Sequence, residues 1–164
     1  MKIKQIPEDF VVEEIPSRHW KKKGKFSVYK LKKTNMDLIA ARRTIAKKLR
    51  ISPKLISHAG IKDKIAVTTQ YITIKTDRGQ KARFMLRTIS LDHVGFLDDP
   101  LKSGDLKGNK FTIIIRDLAD EEIKKLKINI ARLKKIGFAN YFDSQRFGED
   151  LSIGGFIAKR LMKN

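Results

Sequence analysis

The stretch Phe111-Thr112-Ile113-Ile114-Ile115-Arg116 decides the fold class. Large apolar and β-branched residues follow one another without helical spacing, which predicts a central strand covered on both faces. Directly after it the period changes. Ile123, Leu126, Ile130 and Leu133 recur at three- and four-residue intervals and predict a helix with that stripe buried. Asp117 or Asp120 starts it, acids fill its first turn, Arg132, Lys134 and Lys135 lie near its end, and Gly137 stops it.

Moving back from this pair, residues 100–108 read as a loop, 91–96 as a strand, and 79–87 as a helix with Phe84 and Met85 inward. Residues 68–76 alternate as a strand. Ser52-Pro53 opens a short helix near 54–57, as a cap followed by proline does. Leu38, Ala41, Ile45 and Leu49 mark a helix capped by Asn35 or Asp37. Residues 25–31 and the Val11, Val12, Ile15 segment read as strands. Beyond Gly137, residues 138–147 are rich in aromatics, and 153–162 read as a helix with Ile153, Phe156, Ile157 and Leu161 apolar. The strands lack a strict βα rhythm and several are joined by short loops. The expected fold is therefore α+β, a mixed or antiparallel sheet backed by helices, in one domain over 1–164.

Thirty-seven lysines and arginines face eighteen acids, a formal charge of +19 over 164 residues. Such a field favours polyanionic partners without choosing among them. The chain has no cysteine, which excludes disulfides, thiolate metal sites and a cysteine nucleophile. Its three histidines, His19, His58 and His93, lack ligand spacing, so no metal is expected. No apolar run is long enough to span a bilayer, and an intracellular, cytoplasmic protein is expected.

The charge is densest over 18–33, where eight of sixteen residues are basic and none is acidic. Arg18, His19, Lys21, Lys22, Lys23 and Lys25 are candidate RNA contacts, with Trp20, Phe26 and Tyr29 interleaved for stacking. The plain alternative is a solvated hairpin whose Phe26 and Tyr29 belong to the core.

Four segments carry a resemblance. They are Pro7-Glu8-Asp9-Phe10-Val11-Val12-Glu13-Glu14, the stretch from Ala59 through Gly60-Ile61-Lys62-Asp63-Lys64 to Gln70, Leu106-Lys107-Gly108-Asn109-Lys110-Phe111-Thr112, and Asn140-Tyr141-Phe142-Asp143-Ser144-Gln145-Arg146-Phe147-Gly148. In this order they resemble the motifs of the TruD family of pseudouridine synthases. Taken by itself, Lys62-Asp63-Lys64 reads as an exposed ion pair worth about 0–1 kcal/mol.

The resemblance implies that Asp63 is the catalytic carboxylate. It attacks C1′ of the target uridine or takes a proton from C2′, and Lys62 and Lys64 favour its ionised form. It further implies that Phe10, Lys62, Asn109 and Phe111 line the pocket and that Lys64 and Arg146 meet RNA. The implied substrate is uridine-13 of tRNA, flipped out of its stack, with no cofactor. Phe111 as core and Asn109 as a turn residue are the plain readings of those two positions.

Members of the family are longer than this chain. The resemblance therefore implies the amino-terminal portion of the catalytic domain, without its carboxyl-terminal half and inserted domain. A separate carboxyl-terminal polypeptide completing the enzyme joins tRNA as an expected partner, and a basic RNA-binding domain without turnover is the alternative.

Overall fold

The computed structural model describes residues 1–75, 82–137, 149–150 and 155–156. They belong to two compact units, Met1–Leu118 and Ala119–Asn164.

The first unit is built on a seven-stranded mixed sheet. Its strands are β2 (Phe10–Pro16), β3 (Phe26–Thr34), β4 (Ile56–His58), β5 (Val67–Lys75), β6 (Arg83–Leu86), β7 (Ile89–Leu97) and β8 (Leu106–Ile113). A two-residue strand β1 (Lys2–Ile3) pairs separately with β9 (Ile115–Arg116). The order across the sheet is β6-β7-β3-β5-β2-β8. β5 shares one edge between two neighbours: Val67–Thr69 run parallel to Val11–Glu13, and Ile72–Ile74 pair antiparallel with β4. All other pairs in this sheet are antiparallel.

Alternation along β3 explains the core. Tyr29 and Leu31 are fully buried with Ile72, Ile74, Ile89 and Leu91, and α1 (Leu38–Leu49) covers them with Leu38, Ala41, Ile45 and Ala46. Asp37 caps that helix by accepting the Ala40 N–H at 2.8 Å. On the opposite face a smaller cluster gathers Val28, Leu97 and Leu101 against Trp20, Tyr71 and Val94. The expected helix at 54–57 is a single 3₁₀ turn, Pro53–Leu55, capped by Ser52.

Several expectations fail in this unit: the end of the expected 100–108 loop already belongs to β8, and Ile56 and Ser57, expected in the short helix, open β4. The 111–116 run is not a central strand. β8 ends the sheet order, Phe111 is 52% exposed, Ile113 and Ile114 are exposed too, and the run breaks at Ile114. The Ile114 N–H still bonds the Asp9 carbonyl at 2.8 Å, in register with the Phe10–Ile113 pair, so β8 ends where its partner β2 gives way to the Pro7–Asp9 turn. Nor is 83–86 helical. Arg83–Leu86 pairs with Ile89–Asp92 as a hairpin, leaving Met85 82% exposed while Phe84 leans on the core. Cross-strand hydrogen bonding, invisible to local periodicity, takes the backbone there.

In the second unit α2 (Asp120–Ile136) has its expected ends. Glu122 accepts the Ala119 N–H at 3.0 Å, and the Gly137 N–H bonds the Leu133 carbonyl at 2.8 Å with φ +72°. Its expected buried stripe is absent: Leu126, Ile130 and Leu133 are exposed, and no residue of α2 is buried. Period identifies the apolar side of a helix but not what covers it. β10 (Glu149–Asp150) pairs antiparallel with β11 (Gly155–Phe156), so Phe156 lies in a strand rather than in the helix expected over 153–162. The remainder of that helix and the 140–148 motif, Arg146 included, lie outside the described residues. Among the described residues no helix is long and apolar enough to cross a membrane.

Candidate active site on the Asp63 loop

Residues 59–66 connect β4 to β5 and cross the face of the sheet that α1 also covers. The side chains beneath them follow from register. Val12 pairs with Thr68 and Phe111, Glu14 with Asn109, and Lys33 with Thr68, so these residues share one face with Phe10 and Gln70. Five of them, Val12, Glu14, Lys33, Thr68 and Gln70, are buried.

Each end of the loop is tied down. The Ala59 carbonyl accepts from the Gly104 N–H at 2.8 Å, and the Ala66 carbonyl accepts from the Asn35 N–H at 3.1 Å. Between them the Gln70 amide donates to the Gly60 carbonyl at 3.1 Å. Lys62 turns inward, its ammonium 2.8 Å from the Glu14 carboxylate, with the two side chains only 5% and 1% exposed. A Cβ on Gly60 would lie 3.3 Å from that ammonium, so glycine gives the lysine its passage. From below, the Lys33 Nζ donates to the carbonyls of Asp63 at 2.7 Å and Lys62 at 3.4 Å. Burial pushes the Lys33 ammonium below the ordinary lysine range, while the charges of Asp63 and Asp37 act the other way.

The Asp63 side chain itself points outward and is 44% exposed. Its Oδ1 lies 3.3 Å from the Lys4 Nζ. The same ammonium sits 3.8 Å from the centroid of the Phe10 ring, and Phe10 meets Phe111 edge-on at 5.9 Å. Asp63, Lys4, Phe10 and Phe111 thus form one continuous group. The Asn109 Oδ1 is buried on this face with no hydrogen-bond donor among the described residues.

Lys4 is held in place from the turn that precedes β2. Asp9 is fully buried and receives Arg116 in a bidentate bond at 2.7–3.0 Å. Its Oδ2 also accepts the N–H groups of Gln5 at 3.2 Å and Ile6 at 3.3 Å. Lys4 adopts φ +54°, an uncommon turn for a side-chain-bearing residue.

The structure therefore gathers Asp63, Phe10, Asn109 and Phe111 on one face. It places Lys62 in the buried pair with Glu14, and leaves Lys64 exposed. The basic segment is built differently from its expectation. Tyr29 is core, and Trp20 packs on Tyr71 at 5.0 Å, so these rings are occupied by packing. Lys21 exchanges two backbone bonds with Phe96, and a Cβ on Gly24 would fall 2.5 Å from the Leu97 carbonyl oxygen. The segment is thus seated against β7. Arg18 pairs with Asp105 at 2.7 Å and Lys21 with Asp98. His19, Lys22, Lys23 and Lys25 are exposed.

Reading the sequence missed Lys4, Glu14 and Lys33 as parts of this site. The two buried ones had a signal. Glu14 falls in step with Phe10 and Val12, and Lys33 with Tyr29 and Leu31, so alternation alone puts their charges on the covered face. Nothing local connects Lys4 to an acid 59 residues away.

Fold and site define an α+β protein that presents one carboxylate on a pinned loop beside an aromatic pair. The chain belongs to the tRNA pseudouridine synthase D (TruD) family, whose model matches residues 1–164. A Thermococcus onnurineus protein named "Probable tRNA pseudouridine synthase D" is 42% identical over 164 residues, covering 99% of this chain and 39% of that one. The tRNA pseudouridine synthase D of Leptospira interrogans is 38% identical over 146 residues, covering 88% of this chain and 36% of its own length. A crystal structure described as "Putative tRNA pseudouridine synthase D (TruD)" from Methanosarcina mazei superposes with a TM-score of 0.81 at 37% identity, over 90% of this chain and 35% of that one. The chain thus spans about two-fifths of the length of the curated relatives it matches.

Proposed function

We propose that this chain carries the Asp63-bearing part of a tRNA pseudouridine synthase and acts on uridine-13. In that reaction the N1–C1′ bond of uridine breaks and a C5–C1′ bond forms. C5 loses its proton and N1 ends with one, so the change is an isomerisation. Asp63 serves either as the nucleophile at C1′ or as the base at C2′, and both roles need a carboxylate that is open to substrate yet fixed in direction. The observation that carries the reading is this combination: a loop pinned through its carbonyls and Lys62, with the Asp63 carboxylate facing out beside Phe10 and Phe111. Those two rings offer a surface against which a flipped uracil can stack. Exposed Lys22, Lys23, Lys25 and Lys64 supply the phosphate contacts.

One observation favours a narrower role for the chain alone. Phe111 and Ile113 are half-exposed on the same face as Phe10, which leaves one wall of a pocket. On that reading the chain binds tRNA and needs a further polypeptide for turnover. Carbodiimide mapping of pseudouridine in a tRNA transcript tests both. Product at uridine-13 only when the carboxyl-terminal part of the enzyme is supplied supports both statements. Robust product from the chain alone would overturn the narrower one. No product at uridine-13 under either condition would overturn the main one.

A further inference from the structure

We infer that Lys33 is a positioning residue for Asp63, setting the direction of its carboxylate through the main chain. The inference rests on the role proposed above for Asp63 and adds a residue that the sequence motif does not contain. Lys33 is the penultimate residue of β3 and is fully buried. No carboxylate lies within ion-pair distance of it among the described residues; its ammonium is engaged by the carbonyls of Lys62 and Asp63. Burying an ammonium without a carboxylate is strongly unfavourable, and an apolar side chain of similar length would fill the space without that cost. What lysine adds here is its donors.

The two carbonyls it engages flank one Cα. Each belongs to a rigid planar peptide unit, and the units on either side of Cα63 share only the φ and ψ of Asp63. One ammonium reaching both planes therefore restrains these two torsions together, and with them the Cα–Cβ direction. Only the side-chain torsions of Asp63 remain free. The bonding is asymmetric, with the Asp63 carbonyl at 2.7 Å dominating over that of Lys62 at 3.4 Å. Lys62 is held a second time through Glu14, so the loop is anchored on both sides of the acid.

The Lys33→Met variant of the full chain tests this, with Lys33→Gln as a second substitution. Amide nitrogen relaxation reads the loop directly. The expected result is that order parameters for residues 61–64 fall from about 0.85 to below about 0.6 while those of 70–74 do not change. Resistance to unfolding is expected to stay level or rise in Lys33→Met. In the enzyme containing the chain, the rate constant for pseudouridine formation should fall about 100-fold with tRNA affinity unchanged, as misorientation of a reacting group predicts. Unchanged loop order, loosening of β5 in step with the loop, or unfolding of both variants would overturn the inference. Asp63→Asn in the same assay separates the two ideas. Full activity in that variant would remove the catalytic reading, and the relaxation data would still decide what Lys33 holds.

Discussion

Lys62 and Glu14 form a buried ion pair, Nζ to Oε2 at 2.8 Å, directly under the loop that presents Asp63. The Glu14 carboxylate also accepts the Tyr71 N–H at 3.1 Å, so this acid links β5 to the loop. Removing one partner leaves a charge stranded in the interior. Glu14→Ala is expected to cost about 3–5 kcal/mol in urea unfolding. Replacing both Glu14 and Lys62 by methionine should cost clearly less than the sum of the single changes. Additive losses in that double-mutant cycle would show that the pair is not coupled.

The Asp9–Arg116 clamp predicts an acid-dependent stability. The Arg116 hydrogen bonds hold the Asp9 carboxyl below its ordinary range, with burial opposing them. A depressed folded value means the contribution is complete above the unfolded carboxylate pKa of about 3.9 and is lost as pH falls through the lower folded value. The stability gap between the wild type and Asp9→Asn should therefore be widest near neutral pH and close in strong acid. A gap that stays constant down to the acid limit would contradict this assignment.

Seating of the basic segment against β7 makes a prediction about tRNA binding. Lys22→Ala, Lys23→Ala and Lys25→Ala should each weaken binding to tRNAs of different sequence alike. Each should also reduce the slope of log affinity against log salt by about 0.7–0.9 for every phosphate that is no longer neutralised. Fluorescence anisotropy across a salt series measures both quantities. Slopes identical to the wild type in all three variants would remove this segment from the interface.

The central strands are legible in the sequence as strands, and Ile72 and Ile74 share a face that the structure covers. The faces of 25–31 are less legible: Phe26 and Val28 read as its apolar side and Leu31 as an interruption of a polar one, yet Tyr29 and Leu31 lie in the main core, because both sides of β3 are covered. Expectation fails where apolar character stands as proof of cover. The 111–116 run and the stripe of α2 are as apolar as expected, yet Phe111 and Leu133 are exposed, because covering is a property of the neighbour. Arg83–Leu86 departs from its helical expectation because its structure comes from pairing with β7 rather than from its own pattern. The family motif locates Asp63, Phe10, Asn109 and Phe111 together. It does not disclose the support. Glu14 and Lys33 are marked only by falling in step with apolar neighbours, and Lys4 reaches Asp63 from a turn whose next two N–H groups bond Asp9.

The central claim is that the Asp63 carboxylate performs chemistry on uridine. Single-turnover formation of pseudouridine at uridine-13, comparing wild type with Asp63→Asn in the enzyme containing this chain, tests it most directly. The substitution keeps the size of the side chain and removes its charge. The account predicts no product above background with tRNA affinity retained. Product formed by Asp63→Asn at the wild-type rate would contradict it.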